Sequence, residues 1–167
     1  RAVNNPRNEN RTINVTTMES YLRGVVPRES PASWGDTAGG AGMNALRAQS
    51  VAARSYASTE NRYVGLANTC DTQDCQVYLG AALREGVSEQ PYSLEDPRTD
   101  AAIAETAGVV IRRANGAVVR TEFSSSNGGR TAGGSFTAQP DPGDLAANSS
   151  LMTWTRSVSA AQLQQRY

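Results

Sequence analysis

This chain has no histidine, so any proton-transfer chemistry falls to its carboxylates, tyrosines and cysteines. One of its sixteen acidic residues stands apart by its setting. Glu29 lies in YLRGVVPRESPASW (21–34), between Pro27 and Pro31 and just after an apolar helical segment. Proline fixes its own φ and restrains the residue before it, so this turn is stiff. A stiff turn between two packed helices holds one acid in a fixed direction. The ordinary fate of a glutamate here is a solvated carboxylate paired with Arg28 or Arg23. The flanking prolines, nearby Trp34 and the two apolar helices weigh against that fate. A carboxyl buried against tryptophan or tyrosine becomes a proton donor useful near neutral pH.

A second polar constellation is SSSNGGRT (124–131). Gly128 and Gly129 let backbone N–H groups approach a ligand, while serine and asparagine side chains bind hydroxyls and amides. The loop is expected to line the same groove as Glu29. It is no phosphate loop, because no GK[ST] follows. Nor is Ser124, Ser125 or Ser126 a triad nucleophile, because there is no histidine to activate it. The cysteines, Cys70 and Cys75, sit in CDTQDC. A short-loop disulfide is the first reading, and an exported protein would permit it. A zinc site is weaker, since only Asp71 and Asp74 lie close by. Two free thiols are the third.

The elements that must position these groups follow from pattern. Thr16-x-x-Glu19 reads as a capping box opening a helix to about Val26, with Met18, Leu22, Val25 and Val26 on one face and Pro27 ending it. A Gly-rich loop (37–42) precedes a second helix, from about Met43 to Glu60, whose buried face is marked by Leu46, Val51, Ala52 and Tyr56. QVYLG (76–80) reads as a short strand. Asp96 and Pro97 open a third helix to about Thr106, with Gly108 as its stop. Val109–Arg113 and Ala117–Phe123 read as strands joined by an Asn115-Gly116 turn. Residues 138–150 read as irregular, Trp154–Val158 as a strand, and Ser159-x-x-Gln162 as a capping box for a last helix. The expected fold is α+β, a single compact domain with a few helices packed on short antiparallel strands.

The chain has 167 residues and 38% hydrophobic content, enough for one domain with a real core. No apolar run approaches the ~20 residues of a membrane span. Arg1 follows no signal-like stretch, as expected of a mature or trimmed form, and the last helix runs into the final residue, as expected of a domain that continues further. All sixteen basic residues are Arg and balance the sixteen acids. Zero net charge argues against a nucleic-acid partner.

Taken in order, YLRGVVPRESPASW, ALRAQSVAARSYA, CQVYLG, TAGVVIRRANGAVVRTEFSSSNGGRT and WTRSVSAAQL closely resemble the SpoIID/LytB family, the stage II sporulation protein D and amidase-enhancer proteins. The resemblance spans roughly residues 15–163, so residues 1–14 form an N-terminal polar segment and 15–167 a SpoIID-like domain. It implies action on bacterial peptidoglycan, outside the cytoplasm, secreted or bound to the cell wall. Characterised members are lytic transglycosylases that cut glycan strands stripped of stem peptides. Their catalytic acid maps to Glu29, and their polar groove residues map to Gln49, Arg54, Tyr56, Gln76, Tyr78, Ser125 and Ser126. Some members bind zinc near CDTQDCQVY through Cys and His. This chain has Cys75 and Asp74 but no His, and no cofactor is expected.

The implied chemistry suits these residues. Ordinary glycosidases use two carboxylates. A lytic transglycosylase can use one, which protonates the glycosidic oxygen between MurNAc and GlcNAc. The same group, now a base, then helps the sugar's own C6 hydroxyl attack C1. The runner-up is a non-catalytic wall-binding module that stimulates a separate N-acetylmuramoyl-L-alanine amidase. A third reading is an interaction domain of a spore or septal assembly. A fold can keep its groove and lose its activity, so fold alone does not choose among them.

Overall fold

The computed structural model describes residues 2–4, 10–134, 136–147 and 155–164. The fold class is α+β, as the pattern predicts. The chain divides into two compact units, Arg1–Glu122 and Phe123–Tyr167.

In the first unit, β1 (Ala2–Asn4) pairs antiparallel with β2 (Asn10–Thr12), with Val3 opposite Arg11. Helix α1 (Met18–Glu29) follows. Its cap is Thr17 rather than the expected Thr16: Thr17 Oγ1 accepts from Ser20 N at 3.3 Å. The Glu19 side chain does not return to the cap because Arg54 takes it. Nor does Pro27 end the helix. It sits in the last turn, where its missing N–H forfeits only the bond to the carbonyl of Arg23, an exposed residue. Helix α1 therefore runs on to Glu29, and Ser30 N closes it on Val26 O at 3.0 Å.

A 3-10 segment (Ala32–Gly40) loses helical geometry at Thr37–Gly39, and with Gly40 also at positive φ the expected Gly-rich loop at 37–42 leads into α2 (Met43–Thr59). Strands β3 (Ala82–Leu83) and β4 (Tyr92–Ser93) pair antiparallel. Helix α3 (Pro97–Glu105) starts where predicted, with Asp96 Oδ1 accepting from Arg98 N and Pro97 in the first turn. The two strands expected around Asn115-Gly116 shrink to a turn and one bridge, Arg112 to Val118, with Val119 N bonding Ile111 O at 2.9 Å.

Helix α2 packs on α1, α3 and the 3-10 segment, and α1 packs on α3. Leu22, Val25, Val26, Ala53 and Ile103 are buried at their meeting, with Tyr21 at the edge. Each large apolar side chain there gains roughly 1.5–3 kcal/mol from burial. The buried face of α2 differs from expectation. Val51 and Ala52 are only half-buried, whereas Ser50, Arg54 and Ser55 are buried. Polar residues fit because each hydroxyl is satisfied: Ser50 Oγ donates to Leu46 O and Ser55 Oγ to Val51 O.

In the second unit, α4 (Pro142–Ala147) stands where an irregular segment is predicted, because Asp141 Oδ1 accepts from Asp144 N at its start. Helix α5 (Ala160–Gln164) has its predicted capping box, with Gln162 N donating to Ser159 Oγ and Ser159 N to Gln162 Oε1. Residues 155–158 form no strand, and Trp154 lies outside the described residues.

Candidate functional site

Glu29 is the last residue of α1, half-buried, with its side chain directed at the segment after the cysteines. Oε1 accepts from the backbone N–H of Val77 at 2.9 Å. Among the described residues Oε2 has no hydrogen-bond partner. Among the described residues neither Arg23 nor Arg28 takes the ordinary role of pairing with it, in line with the sequence reading. Arg23 lies 3.9 Å from Asp100, and Arg28 Nη2 donates to Leu94 O. Trp34 is 47% exposed, so it does not enclose the acid as the sequence suggests.

The segment Gln76–Gly80 that holds Glu29 has no regular secondary structure and is not the predicted strand. Its backbone makes no backbone–backbone hydrogen bond among the described residues. Side chains tether it instead. Gln76, 1% exposed, accepts from Tyr21 Oη through Oε1 (3.2 Å) and donates through Nε2 to Ala53 O (3.3 Å). Tyr78 stacks on Tyr21, with centroids 5.1 Å apart and planes 25° apart, and its hydroxyl accepts from Asn14 Nδ2 at 2.6 Å. Gly24 makes room for that ring: a Cβ there would fall 2.6 Å from Tyr78 Cε2. Burial pushes the Tyr21 phenol up to about 12, with nearby Glu29 adding to the rise, so Tyr21 stays a neutral donor at physiological pH. Tyr21 also lines a cavity of about 310 Å³ between residues 13–18 and Leu66–Thr69; Glu29 is not in its lining.

The structure thus brings Glu29, Gln76 and Tyr78 together and adds Tyr21, Asn14 and the Val77 N–H, which the sequence reading misses. Tyr21 begins the same motif as Glu29, so its type and spacing were available as a signal. A backbone N–H carries no signal in residue type.

Three residues of α2 were expected in the groove. Arg54 is not a groove residue. It is 2% exposed and spends its donors inside the fold. Nε and Nη2 grip Glu19 at 3.0 and 2.7 Å, and further donors reach Ile103 O and Val109 O. A lone arginine would be costly here, and the bidentate carboxylate is what makes it tolerable. Tyr56 is buried at 7% exposure, under the Arg120 guanidinium, which donates to its hydroxyl at 2.7 Å. Gln49 is half-buried, and its Nε2 is buried without a hydrogen-bond partner among the described residues.

Cys70 and Cys75 form a disulfide. Disulfide sulfurs are not thiolates, so the zinc alternative at these cysteines does not fit. No cluster of three or more metal-ligating side chains occurs among the described residues.

Ser125 and Ser126 belong to the second unit. Ser125 is exposed. Ser126 Oγ donates to Asp144 Oδ2 at 2.9 Å, and the N–H groups of Asn127 and Gly129 reach the same oxygen at 2.9 and 3.0 Å. Gly128 and Gly129 adopt positive φ (74° and 86°), which turns these donors inward. The N–H groups expected to meet a ligand therefore hold Asp144. They also keep its carboxyl below the usual range, Gly129 N–H first.

The model of the family described as "SpoIID: Stage II sporulation protein" matches residues 6–112. Over 110 residues the chain is 37% identical to a Bacillus subtilis (strain 168) protein named "Amidase enhancer"; the match covers 66% of this chain but only 12% of that protein. No solved structure matches. The family match takes in all of α1 with Glu29, α2, the disulfide and the Gln76–Gly80 segment. By that match the chain belongs to the SpoIID, stage II sporulation protein, family.

Proposed function

We propose that this chain is a cell-wall module that acts outside the cytoplasm by stimulating an N-acetylmuramoyl-L-alanine amidase, with peptidoglycan glycan strands as its ligand. The observation that carries this reading is its 37% identity over 110 residues with a protein named for amidase enhancement. In this role half-buried Glu29 and Tyr78, the latter backed by buried Tyr21, supply a carboxylate acceptor and an aromatic ring, groups suited to sugar hydroxyls and N-acetyl groups. Exposed Ser125 is a further candidate glycan contact, whereas Ser126 is committed to Asp144. None of the helices among the described residues is long and apolar enough to cross a membrane.

A second reading, lytic transglycosylation, is favoured by one feature of Glu29: a fixed Oε1 beside an Oε2 without a partner among the described residues. Such a carboxyl would protonate the glycosidic oxygen. As a carboxylate it would then take the proton of the C6 hydroxyl as that oxygen attacks C1, giving a 1,6-anhydroMurNAc end.

One experiment separates the two. Purified chain is incubated with peptide-free glycan strands, and in parallel with intact peptidoglycan and a wall amidase. Faster release of stem peptides by the amidase, with no 1,6-anhydro ends by mass spectrometry, supports the enhancer role. Anhydro ends that vanish in Glu29→Gln support the second reading. An unchanged amidase rate sinks the first.

A further inference from the structure

We infer that the Cys70–Cys75 disulfide is a redox-sensitive positioning device for Glu29, opened by a dithiol reductant of the thioredoxin-like class. The functional consequence rests on the reading of Glu29 above; the structural consequence does not.

The argument starts from how the Gln76–Gly80 segment is held. A strand in a sheet would be fixed by ladder hydrogen bonds on both sides, and a nearby disulfide would add little. Here the backbone of 76–80 makes no backbone–backbone bond among the described residues. Four consecutive residues are instead fixed one by one. Cys75 is held by the disulfide, Gln76 by Tyr21 Oη and Ala53 O, Val77 by Glu29 Oε1, and Tyr78 by its stack on Tyr21. The bond to Glu29 is thus two residues from a covalent anchor. The loop that the disulfide closes has little else to hold it: a turn from Cys75 N to Thr72 O, the Thr72 hydroxyl contacts, and Arg62 Nη1 on Asp74 O at 2.8 Å. Asp71, Thr72, Gln73 and Asp74 are all exposed and Cys70 and Cys75 are half-buried, so the bond lies under an exposed loop rather than in the core.

Arg62 also sets the direction of the exchange. Its Nη1 lies 3.6 Å from Cys75 Sγ, and Cys70 N–H points at the same sulfur at 3.2 Å. Cys70 Sγ has the neutral Thr72 hydroxyl at 3.5 Å, against a cation and an N–H donor at Cys75, and the sulfur better stabilised as thiolate is the better leaving group. The first reductant thiolate therefore attacks Cys70 Sγ, forming a mixed disulfide and expelling Cys75 as thiolate. The reductant's second thiol then attacks its own sulfur in that mixed disulfide and releases Cys70. Two electrons pass to the protein's sulfurs, the reductant leaves as a disulfide, and each released thiolate takes up a proton as pH dictates. Freed at Cys75, the segment loses the anchor next to Gln76, and the Val77 N–H drifts from Glu29. The buried contacts of α1, α2 and α3 include neither cysteine, so the core persists.

The test follows amide exchange by NMR in the whole chain before and after reduction with dithiothreitol, with complete reduction verified by alkylation and intact mass. The expected result is at least tenfold faster exchange at Val77, with Ile103, in the buried core, unchanged. The Cys70→Ser/Cys75→Ser double variant should reproduce the reduced spectrum without reductant. An unchanged Val77 amide in fully reduced protein overturns the proposal. Equal loss of protection at Ile103 also overturns it, since the disulfide would then hold the whole unit rather than this segment. Because neither readout is catalytic, failure of the enhancer or cleavage reading leaves this result standing, and the reverse holds too.

Discussion

Glu19 and Glu29 stand near opposite ends of one helix, and the comparison between them separates a structural acid from an available one. Glu19 meets the Arg54 guanidinium through both oxygens, and Oε1 also accepts from Gly108 N at 3.3 Å. Its carboxyl is held below the usual range, by the Arg54 hydrogen bond first. Every part of that acid is committed to the fold. Among the described residues Glu29 has one oxygen fixed by a single N–H and the other without a partner. Residue type and helix are the same. What differs is whether a buried cation lies opposite, and only the tertiary fold decides that.

The largest effect should come from breaking the committed end. Glu19→Ala strands the Arg54 charge at 2% exposure. Removing one partner of a buried pair costs about 3–5 kcal/mol, and since Glu19 is itself 38% exposed the expected loss is ~3 kcal/mol. Urea unfolding measures it. A loss under ~1 kcal/mol would show that water or another acid replaces Glu19, and the contrast with Glu29 would collapse.

A smaller effect is expected on the Glu29 side from Gly24→Ala. The new methyl falls 2.6 and 2.8 Å from ring atoms of Tyr78, so the ring must slide along Tyr21. Overpacking of this kind costs typically ~1–3 kcal/mol, offset by roughly 1 kcal/mol of better helix propensity. The net loss should be about 1 kcal/mol, with a changed tyrosine signal in near-UV circular dichroism. An unaltered tyrosine signal would mean that the stack does not set the position of Tyr78.

Acid titration sharpens the comparison further. Glu19 has its folded pKa lowered, so its contribution is fully present above the unfolded value and is lost as pH falls through the folded one. Asp96, lowered chiefly by its hydrogen bond to Arg98, acts in the same sense. Asp100, raised by burial, acts in the opposite sense and gains on protonation. The urea midpoint should therefore fall between pH 5 and pH 3, and fall less steeply in Glu19→Gln. Parallel profiles for the two proteins would remove Glu19 as the source.

The sequence made the helices legible and the connections between them much less so. The apolar face of α1, the bounds of α2 and the Asp96-Pro97 start of α3 follow from periodicity and capping, which are local. The strands fall short because QVYLG makes no ladder bond among the described residues and the segments around Asn115-Gly116 keep only the Arg112–Val118 bridge and the bonds beside it, and pairing is not a local property. Glu29 stood out because prolines flank it. Arg54 could not be told from a groove arginine, since its burial depends on Glu19, thirty-five residues away. Asp144 gave no sign that it would take the N–H groups of the SSSNGG loop, because that contact joins two segments each polar in its own right.

The smallest stability effect, and the one that most directly tests the available acid, belongs to Glu29→Gln. The amide keeps a carbonyl oxygen where Oε1 accepts from Val77 N–H, so the tether survives. Its NH₂ replaces Oε2, which leaves no partner stranded among the described residues. The change in unfolding free energy should stay within about 0.5 kcal/mol, the usual range for a substitution that breaks no buried contact. A glutamine cannot give up a proton as an acid does, so glycan cleavage, where present, should fall to background, while a purely binding role would lose little. Equilibrium unfolding, product analysis on peptide-free glycans and glycan binding are measured on the same preparation. Loss of more than ~2 kcal/mol would place Glu29 with Glu19 as a structural acid, and the distinction between the two ends of α1 would be wrong. Intact stability with abolished cleavage would make Glu29 the reacting group. Intact stability with unchanged glycan binding and no cleavage in either protein would leave the acid as a hydrogen-bond acceptor that an amide oxygen replaces, as a binding module requires.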